Sequence, residues 1–280
     1  MSQEIGFGDI EHEYVSIARA RQMSGLRLVL GAYAIPGPWR EACKALFHVK
    51  GIPFTPARTS DEGASDLDVG MAGTQSELIA WTGQASAPVA IWNDERPRSS
   101  WVDQLNLAER LESEPPLVPA DLGERMRMFG FINEIAGENG LAWSKRLLMA
   151  DGPLKALRPG DPARPFWETL ANKYGYSAPA AAAATRRIIS ILAALDAQLA
   201  AQKAAGNRYF IGTRLSALDL YWATFCGLFK PMPPERCPMA TAYRGAYSND
   251  DPDIERVLTP ALLAHRDYVY EQHLELPIVF

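Results

Sequence analysis

Two adjacent serines, Ser99 and Ser100, stand where the sequence predicts the start of a helix. The first turn of a helix has N–H groups without an intrahelical partner and the positive end of the helix dipole, so it can hold an anion such as a carboxylate. A serine at that position is also an ordinary helix cap. The residues alone leave both interpretations open. The helix itself is indicated by apolar residues at helical spacing, namely Val102, Leu105, Leu107 and Leu111.

A second group with possible chemistry follows the first predicted strand. Tyr33 is the only residue with a hydroxyl between Leu30 and Arg40, and that stretch contains no cysteine. A tyrosine hydroxyl can donate a hydrogen bond to a ligand, and the guanidinium of Arg40 could hold an anionic ligand. Tyrosine in a strand is equally an ordinary core residue, and Arg40 is equally a solvated residue of the next helix. Cys43 falls deeper in that helix, and we interpret it as a core residue.

The most specific local pattern is a helix-capping signature at residues 215–220. Ser216 and Asp219 have the spacing of a capping box, with aspartate in the place of glutamate. Leu215 and Leu220 are placed as a hydrophobic staple around it. This pattern predicts a structural role, and we expect its loss to cost about 0.5–2 kcal/mol of stability, the usual range for a helix cap.

Composition and motifs exclude several other classes of function. The net charge of -5 gives no electrostatic footprint for nucleic acid, and we find no apolar run long enough to cross a membrane. The four histidines show no metal-ligand spacing, and neither a phosphate-binding loop nor a nucleophile elbow is present. The three cysteines are widely spaced and odd in number, which indicates a reducing compartment. We therefore expect a cytoplasmic protein with no metal, nucleic-acid or membrane partner.

The elements predicted for the first half alternate between strands and helices. A polar extension at residues 1–25 has no clear partner. A glycine after residue 50 and two prolines near residue 55 favour a helix end followed by an edge strand. The predicted order is strand 26–30, helix 39–50, edge strand 52–56, loop 59–73, short helix 74–81, strand 88–92, a hairpin turn at 93–96 with a possible further strand, and then the helix capped by Ser99 or Ser100.

The second half is predicted to be entirely helical. Prolines between residues 115 and 119 form a linker, and Asp121 then opens a helix. An alanine run follows Pro179 and leads into an apolar face, which predicts one long helix. Further helices are predicted at 218–229 and 260–273. The buried side of the first helix is expected to carry Met126, Phe129, Ile132 and Ile135.

Two motifs, in this order and at this separation, resemble the glutathione S-transferase superfamily. The first is Ser86-Ala87-Pro88-Val89, set between turn residues and strand formers, and the second is the run of residues 215–220. The resemblance covers about residues 26–229. It implies an α+β fold in which a thioredoxin-like α/β N-terminal domain, residues 26–113, binds glutathione. An all-α helical-bundle C-terminal domain, residues 120–280, follows it.

The same resemblance implies a role for each candidate residue. Ala87 and the cis residue Pro88 would offer backbone groups to the cysteinyl part of glutathione, by a small case of strand addition. Ser100 would hold the γ-glutamyl carboxylate. Ser99 departs from the acidic residue or glutamine usual before that serine, and Asp103 could take over the contact to the ligand's amino group. The remaining implied residues are Tyr33 and Arg40 as catalytic groups and Trp39 as a lining residue.

The resemblance implies an enzyme that activates the thiol of glutathione, its co-substrate, for attack on a small hydrophobic electrophile. We expect a homodimer with a role in detoxification. The alternative is a non-catalytic binding or scaffold protein of the same fold, which the absence of a serine or cysteine near Gly37 and the altered Ser99 favour. A thiol–disulfide reductase would need a cysteine near Gly37, and the sequence has none there.

Overall fold

The computed structural model describes residues 13–31, 37–59 and 75–279. The chain forms two compact units, one of residues 1–115, 232–244 and 273–280 and the other of residues 116–231 and 245–272. Of the predicted loop 59–73, only residue 59 is described. Tyr33 also lies outside the described residues.

The first unit is built around a three-stranded sheet. Strand β1 (Leu26–Val29) lies in the centre, β2 (Phe54–Ala57) pairs with it in parallel, and β3 (Val89–Trp92) pairs with it antiparallel. The predicted edge position of β2 is confirmed. The possible further strand after the hairpin turn is a single bridge, in which Arg98 and Ala90 exchange two hydrogen bonds of 2.9 Å.

Five helices belong to the first unit within the residues that the structure describes. Helix α2 begins at Pro38, which has no N–H to leave unpaired in the first turn. Helix α4 begins after Ser100, which caps it. Both were predicted from these residues, and α3 covers most of the predicted short helix. The five helices are α1 (Ile17–Arg21), α2 (Pro38–Val49), α3 (Ser76–Thr82), α4 (Trp101–Leu111) and α10 (Thr241–Arg244).

The described part of the N-terminal extension packs on the sheet, so the expectation that it has no partner is wrong. The N–H of Val15 donates to the carbonyl of Pro56, and the N–H of Arg58 donates to the carbonyl of Val15, both at 3.0 Å. Ile17 and Ala20 of α1 are buried in the same apolar cluster as Leu78. Among the described residues of the extension, those that join this apolar cluster are few, and the pattern of the sequence does not single them out.

The second unit contains no strand, and the structure describes all its residues. Its seven helices are α5 (Leu122–Ala136), α6 (Leu141–Ala156), α7 (Arg164–Lys173), α8 (Ala178–Ala204), α9 (Ala217–Cys226), α11 (Pro252–Val257) and α12 (Pro260–His273), the last of which ends on the first residue assigned to the other unit. Helix α8 contains the predicted alanine run, with Pro179 in its first turn. Helix α12 has the predicted bounds.

The predicted buried face of α5 is wrong at Met126, which is 67% exposed. The buried residues of this helix include Met128, Ile132 and Ile135. These positions are separated by four and three residues and therefore share one face of the helix. Met126 precedes Met128 by two residues, about 200° around the helix axis, and so lies on the opposite face.

Helix α8 is long and apolar enough to cross a membrane by length and composition alone, which the sequence analysis did not expect. A helix in the core of a protein meets the same criteria of length and composition. The fully packed positions of α8 recur every three or four residues, as they do on the inner face of a core helix. They are Ala181, Ala184, Ile188, Ile191, Leu192, Leu195 and Leu199.

Every residue of α9 is buried, and the carboxylate of Asp219 in its first turn accepts hydrogen bonds from several donors. The predicted capping box is present. One oxygen of the Asp219 carboxylate accepts from the N–H and the hydroxyl of Ser216, at 2.8 and 2.7 Å. The other accepts from the N–H of Phe210 at 2.9 Å and lies 2.8 Å from Nε2 of His265. The cap therefore joins three parts of the second unit.

We predict that Asp219→Ala lowers the free energy of unfolding by about 3–5 kcal/mol, the range for removing one partner of a buried polar pair. This exceeds the loss of a simple cap because donors of Phe210 and His265 also lose their acceptor. Urea unfolding measures the difference. The control is Asp267→Ala, which removes a partly exposed carboxylate of α12 that pairs with Arg266. A variant with normal unfolding but lost activity would contradict the structural role.

Candidate functional site

The turn that precedes β3 is held by a buried glutamine that the sequence analysis missed. The Ala87–Pro88 peptide bond is cis, as predicted. Nε2 of Gln104, in the second turn of α4, donates to the carbonyl of Pro88 at 3.3 Å and to that of Arg98 at 3.2 Å. Gln104 is only 2% exposed. One side chain thus fixes α4 against the start of β3 and the bridge that follows it.

The first turn of α4 carries the predicted serine cap. Ser100 is the N-cap, and its hydroxyl accepts from the N–H of Asp103 at 3.2 Å. Ser99 and Ser100 are both exposed, so this end of the helix is open to a ligand. Gln104 joins the carbonyl of Pro88 to α4, four residues after the Ser100 cap.

Asp103 is already engaged with a basic residue. Its carboxylate accepts from Arg96 at 3.2 Å. The hydrogen bond from Arg96 and a further one from Ser100 hold the pKa of Asp103 below its ordinary value, although partial burial acts in the other direction. The group stays ionised at neutral pH and places a negative charge in the first turn, where the helix dipole favours it.

The hairpin between β3 and α4 is fixed by a second set of ion pairs. One oxygen of Glu95 accepts from Arg110 and from Arg98, each at 2.5 Å. These hydrogen bonds, first from Arg110 and then from Arg98, lower the pKa of the Glu95 carboxyl. Arg98 is the residue whose carbonyl Gln104 also holds. The hairpin therefore has a fixed position next to the start of α4.

Arg40 joins the end of β1 to the start of α2. Its Nη1 donates to the carbonyls of Leu30 and Gly31, each at 3.0 Å. The guanidinium also lies across Gly37, where an added Cβ would stand 2.3 Å from Nε, so a larger residue there would require the Arg40 side chain to shift. These contacts give Arg40 a structural role, and its predicted catalytic role stays a prediction. Trp39 is half-buried beside it.

Tyr33, the other predicted catalytic residue, lies outside the described residues. A different tyrosine, which the sequence analysis did not consider, lies near the start of α2. Burial raises the pKa of Tyr14, the charge of Glu41 raises it further, and the charge of Arg40 opposes both. No signal in the sequence points to it, because its position depends on the pairing of Val15 with β2.

Cys43 is fully buried, and burial strongly raises the pKa of its thiol. The thiol is therefore protonated at neutral pH and unreactive, since the thiolate is the nucleophile. This agrees with its interpretation as a core residue. Within the described residues, no three His, Cys, Asp or Glu side chains are grouped to hold a metal.

Comparison with known proteins identifies the second unit most directly. Residues 178–267 match the family described as glutathione S-transferase, C-terminal domain. The sequence matches none of the curated proteins.

Solved structures similar to the chain extend the comparison to the fold as a whole. A glutathione S-transferase of Methylobacterium radiotolerans, in complex with glutathione sulfonate, has a TM-score of 0.56 at 15% identity and covers 88% of this chain and 91% of its own. Rice GST1 in complex with glutathione has a TM-score of 0.53 at 19% identity, with coverages of 91% and 93%. Ure2p in complex with glutathione has a TM-score of 0.50 at 12% identity, with coverages of 86% and 98%.

At these identities the likeness shows the fold alone. It confirms the expected fold class, a thioredoxin-like N-terminal domain followed by a helical C-terminal domain.

We predict that Gln104→Leu lowers the free energy of unfolding by about 1–3 kcal/mol, because leucine has a similar volume but removes the side-chain donor to the buried carbonyl of Pro88 and one of the two donors to the carbonyl of Arg98. Denaturant unfolding measures this loss. The control is Asn106→Leu, an exposed position of the same helix, where we expect a change within about 0.5 kcal/mol. Equal effects of the two substitutions would show that the hydrogen bonds of Gln104 contribute nothing specific.

Proposed function

We propose that the chain is a member of the glutathione S-transferase superfamily, that it binds glutathione in its first unit and that it activates the thiol for attack on a small hydrophobic electrophile. The observation that carries the proposal is the hydrogen bonding of Gln104 to Pro88 and Arg98. It fixes the turn before β3 next to the capped, exposed start of α4. A peptide-like ligand with a carboxylate needs these two features at one place.

Each part of glutathione has a candidate partner. The backbone of Ala87, next to Pro88, pairs with the cysteinyl residue of the ligand. Ser100 and the first N–H groups of α4 hold the γ-glutamyl carboxylate, and Asp103 with Ser99 faces the ligand's amino group. Trp39 lines the site. Glutathione or glutathione sulfonate bound to proteins of the same fold supports this assignment.

The chemical step is an addition or a displacement at the electrophile. The glutathione thiol loses its proton, the resulting thiolate forms the new bond to carbon, and the electron pair displaced from carbon leaves with the leaving group or is protonated. We assign the stabilising donor for the thiolate to Tyr33. The homodimer, the cytoplasmic location and the detoxification role remain predictions.

A binding protein without transferase chemistry is the second candidate. It is favoured by what the structure describes next to β1 and at the start of α2. Residues 30, 31 and 37–40 offer neither a hydroxyl nor a thiol, the Arg40 guanidinium is held by two carbonyls, and the Cys43 thiol is buried. The two candidates differ in the pKa of the bound thiol, which only the enzyme would lower.

We predict that Ser100→Ala weakens glutathione binding by about 1–3 kcal/mol, the range for a hydrogen bond to a charged group. Titration calorimetry measures the affinity. Because Ser100 also caps α4, the matched control is Ser177→Ala. Ser177 caps α8 in the second unit with the same kind of contact, to the N–H of Ala180. Unchanged affinity in Ser100→Ala, or an equal loss in both variants, would count against the assigned site.

We predict that Tyr33→Phe reduces the ultraviolet absorbance of glutathione thiolate in the complex and lowers turnover by about 10²–10³-fold, the usual cost of removing one hydrogen-bond donor to a charged reacting group. The control is Tyr14→Phe, which removes another tyrosine hydroxyl from the same unit and leaves the thiolate signal intact. If Tyr33→Phe keeps both thiolate and turnover, Tyr33 is structural. If the unmodified protein binds glutathione but shows no thiolate at neutral pH, the binding-protein alternative holds.

A further inference from the structure

Two adjacent basic residues of α6, Lys145 and Arg146, project into the second unit with neutral partners. Lys145 is 7% exposed. Its Nζ donates to the carbonyl of Ser248 at 2.8 Å and lies 5.6 Å from the centre of the Phe229 ring. Arg146 donates from Nη2 to the hydroxyl of Tyr247 at 3.0 Å and from Nη1 to the sulfur of Met149 at 3.4 Å. Its Nε is buried and has no acceptor.

Neither cation has a carboxylate at ion-pair distance in the described chain. Asp250 acts on Lys145 only at longer range and is exposed. Other arginines of this unit do have such a partner, as Arg164 has Glu168 at 2.7 Å. A buried charge is unfavourable unless it is paired, and an unsatisfied buried N–H in a native fold requires an explanation. The buried Nε–H and the positive charge of Arg146 are therefore suited to bind an anion.

The surroundings of Arg146 define the kind of anion. Tyr247 and Tyr174 present hydroxyls to the guanidinium, and Cζ lies 5.3 Å from the centre of the Tyr247 ring. Trp143 packs edge-on against Tyr174 with the ring centres 4.8 Å apart. A planar guanidinium fork matches a carboxylate, and aromatic rings favour contact with another ring.

We propose that Arg146, together with the hydroxyls of Tyr247 and Tyr174, forms a binding site in the second unit for a small aromatic carboxylate. The sulfur of Met149 is a weak acceptor on a side chain with three rotatable bonds. The ligand carboxylate displaces this sulfur and takes over the N–H groups of the guanidinium, including Nε. Arg146, Trp143 and Met149 are each only half-buried, so the site has contact with solvent.

Arg146 keeps its charge in this environment. Burial acts to lower its pKa, but the neighbouring hydroxyls of Tyr247 and Tyr174 act in the opposite direction and leave the pKa raised. Burial also lowers the pKa of Lys145. Nζ of Lys145 is engaged with the carbonyl of Ser248, whereas Nε of Arg146 has no acceptor, so the N–H available to an anion lies on the guanidinium. The site uses no residue of the proposed glutathione site and is independent of that proposal.

The test uses 4-fluorobenzoate as the probe and 4-fluorobenzamide, its neutral analogue, as the matched ligand. Fluorine NMR of each compound in the presence of the full chain measures binding down to weak affinities. We expect the carboxylate to bind and the amide to bind at least about tenfold more weakly, since a hydrogen-bonded charge is lost. Equal binding of the two compounds, or no binding of the carboxylate, overturns the proposal.

Variants then locate the binding. Arg146→Met should weaken 4-fluorobenzoate binding about tenfold or more, and Tyr247→Phe, which keeps the ring and the charge, by a few fold. The control is Arg187→Gln, an exposed arginine of the same unit that pairs with Glu134, and it should bind the probe normally. If Arg146→Met does not fold, Tyr247→Phe still decides. The proposal is overturned if Tyr247→Phe and Arg146→Met both bind 4-fluorobenzoate normally. It is also overturned if Arg187→Gln loses as much affinity for the probe as these variants do.

Glutathione affinity separates this inference from the proposed function. Arg146→Met should bind glutathione as the unmodified protein does. A parallel loss of glutathione and 4-fluorobenzoate in this variant would overturn the assignment of a separate site. Loss of glutathione binding in Ser100→Ala, with 4-fluorobenzoate binding unchanged, supports both the proposed glutathione site and the separate carboxylate site.

Discussion

The second unit depends on one buried carboxylate. Asp219 is 0% exposed, and its two oxygens contact donors from the start of α9, from Phe210 and from His265 of α12. A buried carboxylate is tolerated only when such donors surround it. Because the donors come from three separate stretches of chain, the carboxylate sets where each of them lies. Helix α9, buried on all sides, can then pack with one orientation, and Trp222 donates across to the carbonyl of Leu262 in α12.

The elements predicted correctly are those whose signals are local. Pro38 in a first turn and the Ser216–Asp219 box each act within four residues, so the sequence predicts α2 and the start of α9. The errors come from non-local packing. Met126 is apolar, but the face of α5 that is buried depends on its neighbours. The pairing of Val15 with Pro56 depends on where the edge of the sheet lies, and no pattern near Val15 reports that.

The residues of the candidate site also differ in whether a local signal in the sequence predicts their role. Ser100 has a local signal, because a serine before a helix-forming run is a cap, and the structure places it as the cap of α4. Gln104 has no local signal, because glutamine is an ordinary residue on a helix surface. Its role arises only because the fold brings the carbonyls of Pro88 and Arg98 within reach of its amide. Arg40 follows the first strand at the start of a predicted helix, which suggested ligand binding from the sequence. In the structure, Nη1 of its guanidinium donates to the carbonyls of Leu30 and Gly31.

The start of α4 shows how stability and binding share the same groups. In the structure the Ser100 hydroxyl and the first turn already interact with a negative charge, that of Asp103. A ligand carboxylate at this helix end must therefore approach a carboxylate of the protein, and like charges repel. Arg96 reduces this conflict because it pairs with Asp103 and offsets its charge. The pair is largely exposed, so it is screened by salt and can rearrange at little cost. If the proposed glutathione site is correct, Arg96 lets one helix end be capped in the free protein and accept the ligand's carboxylate when it binds.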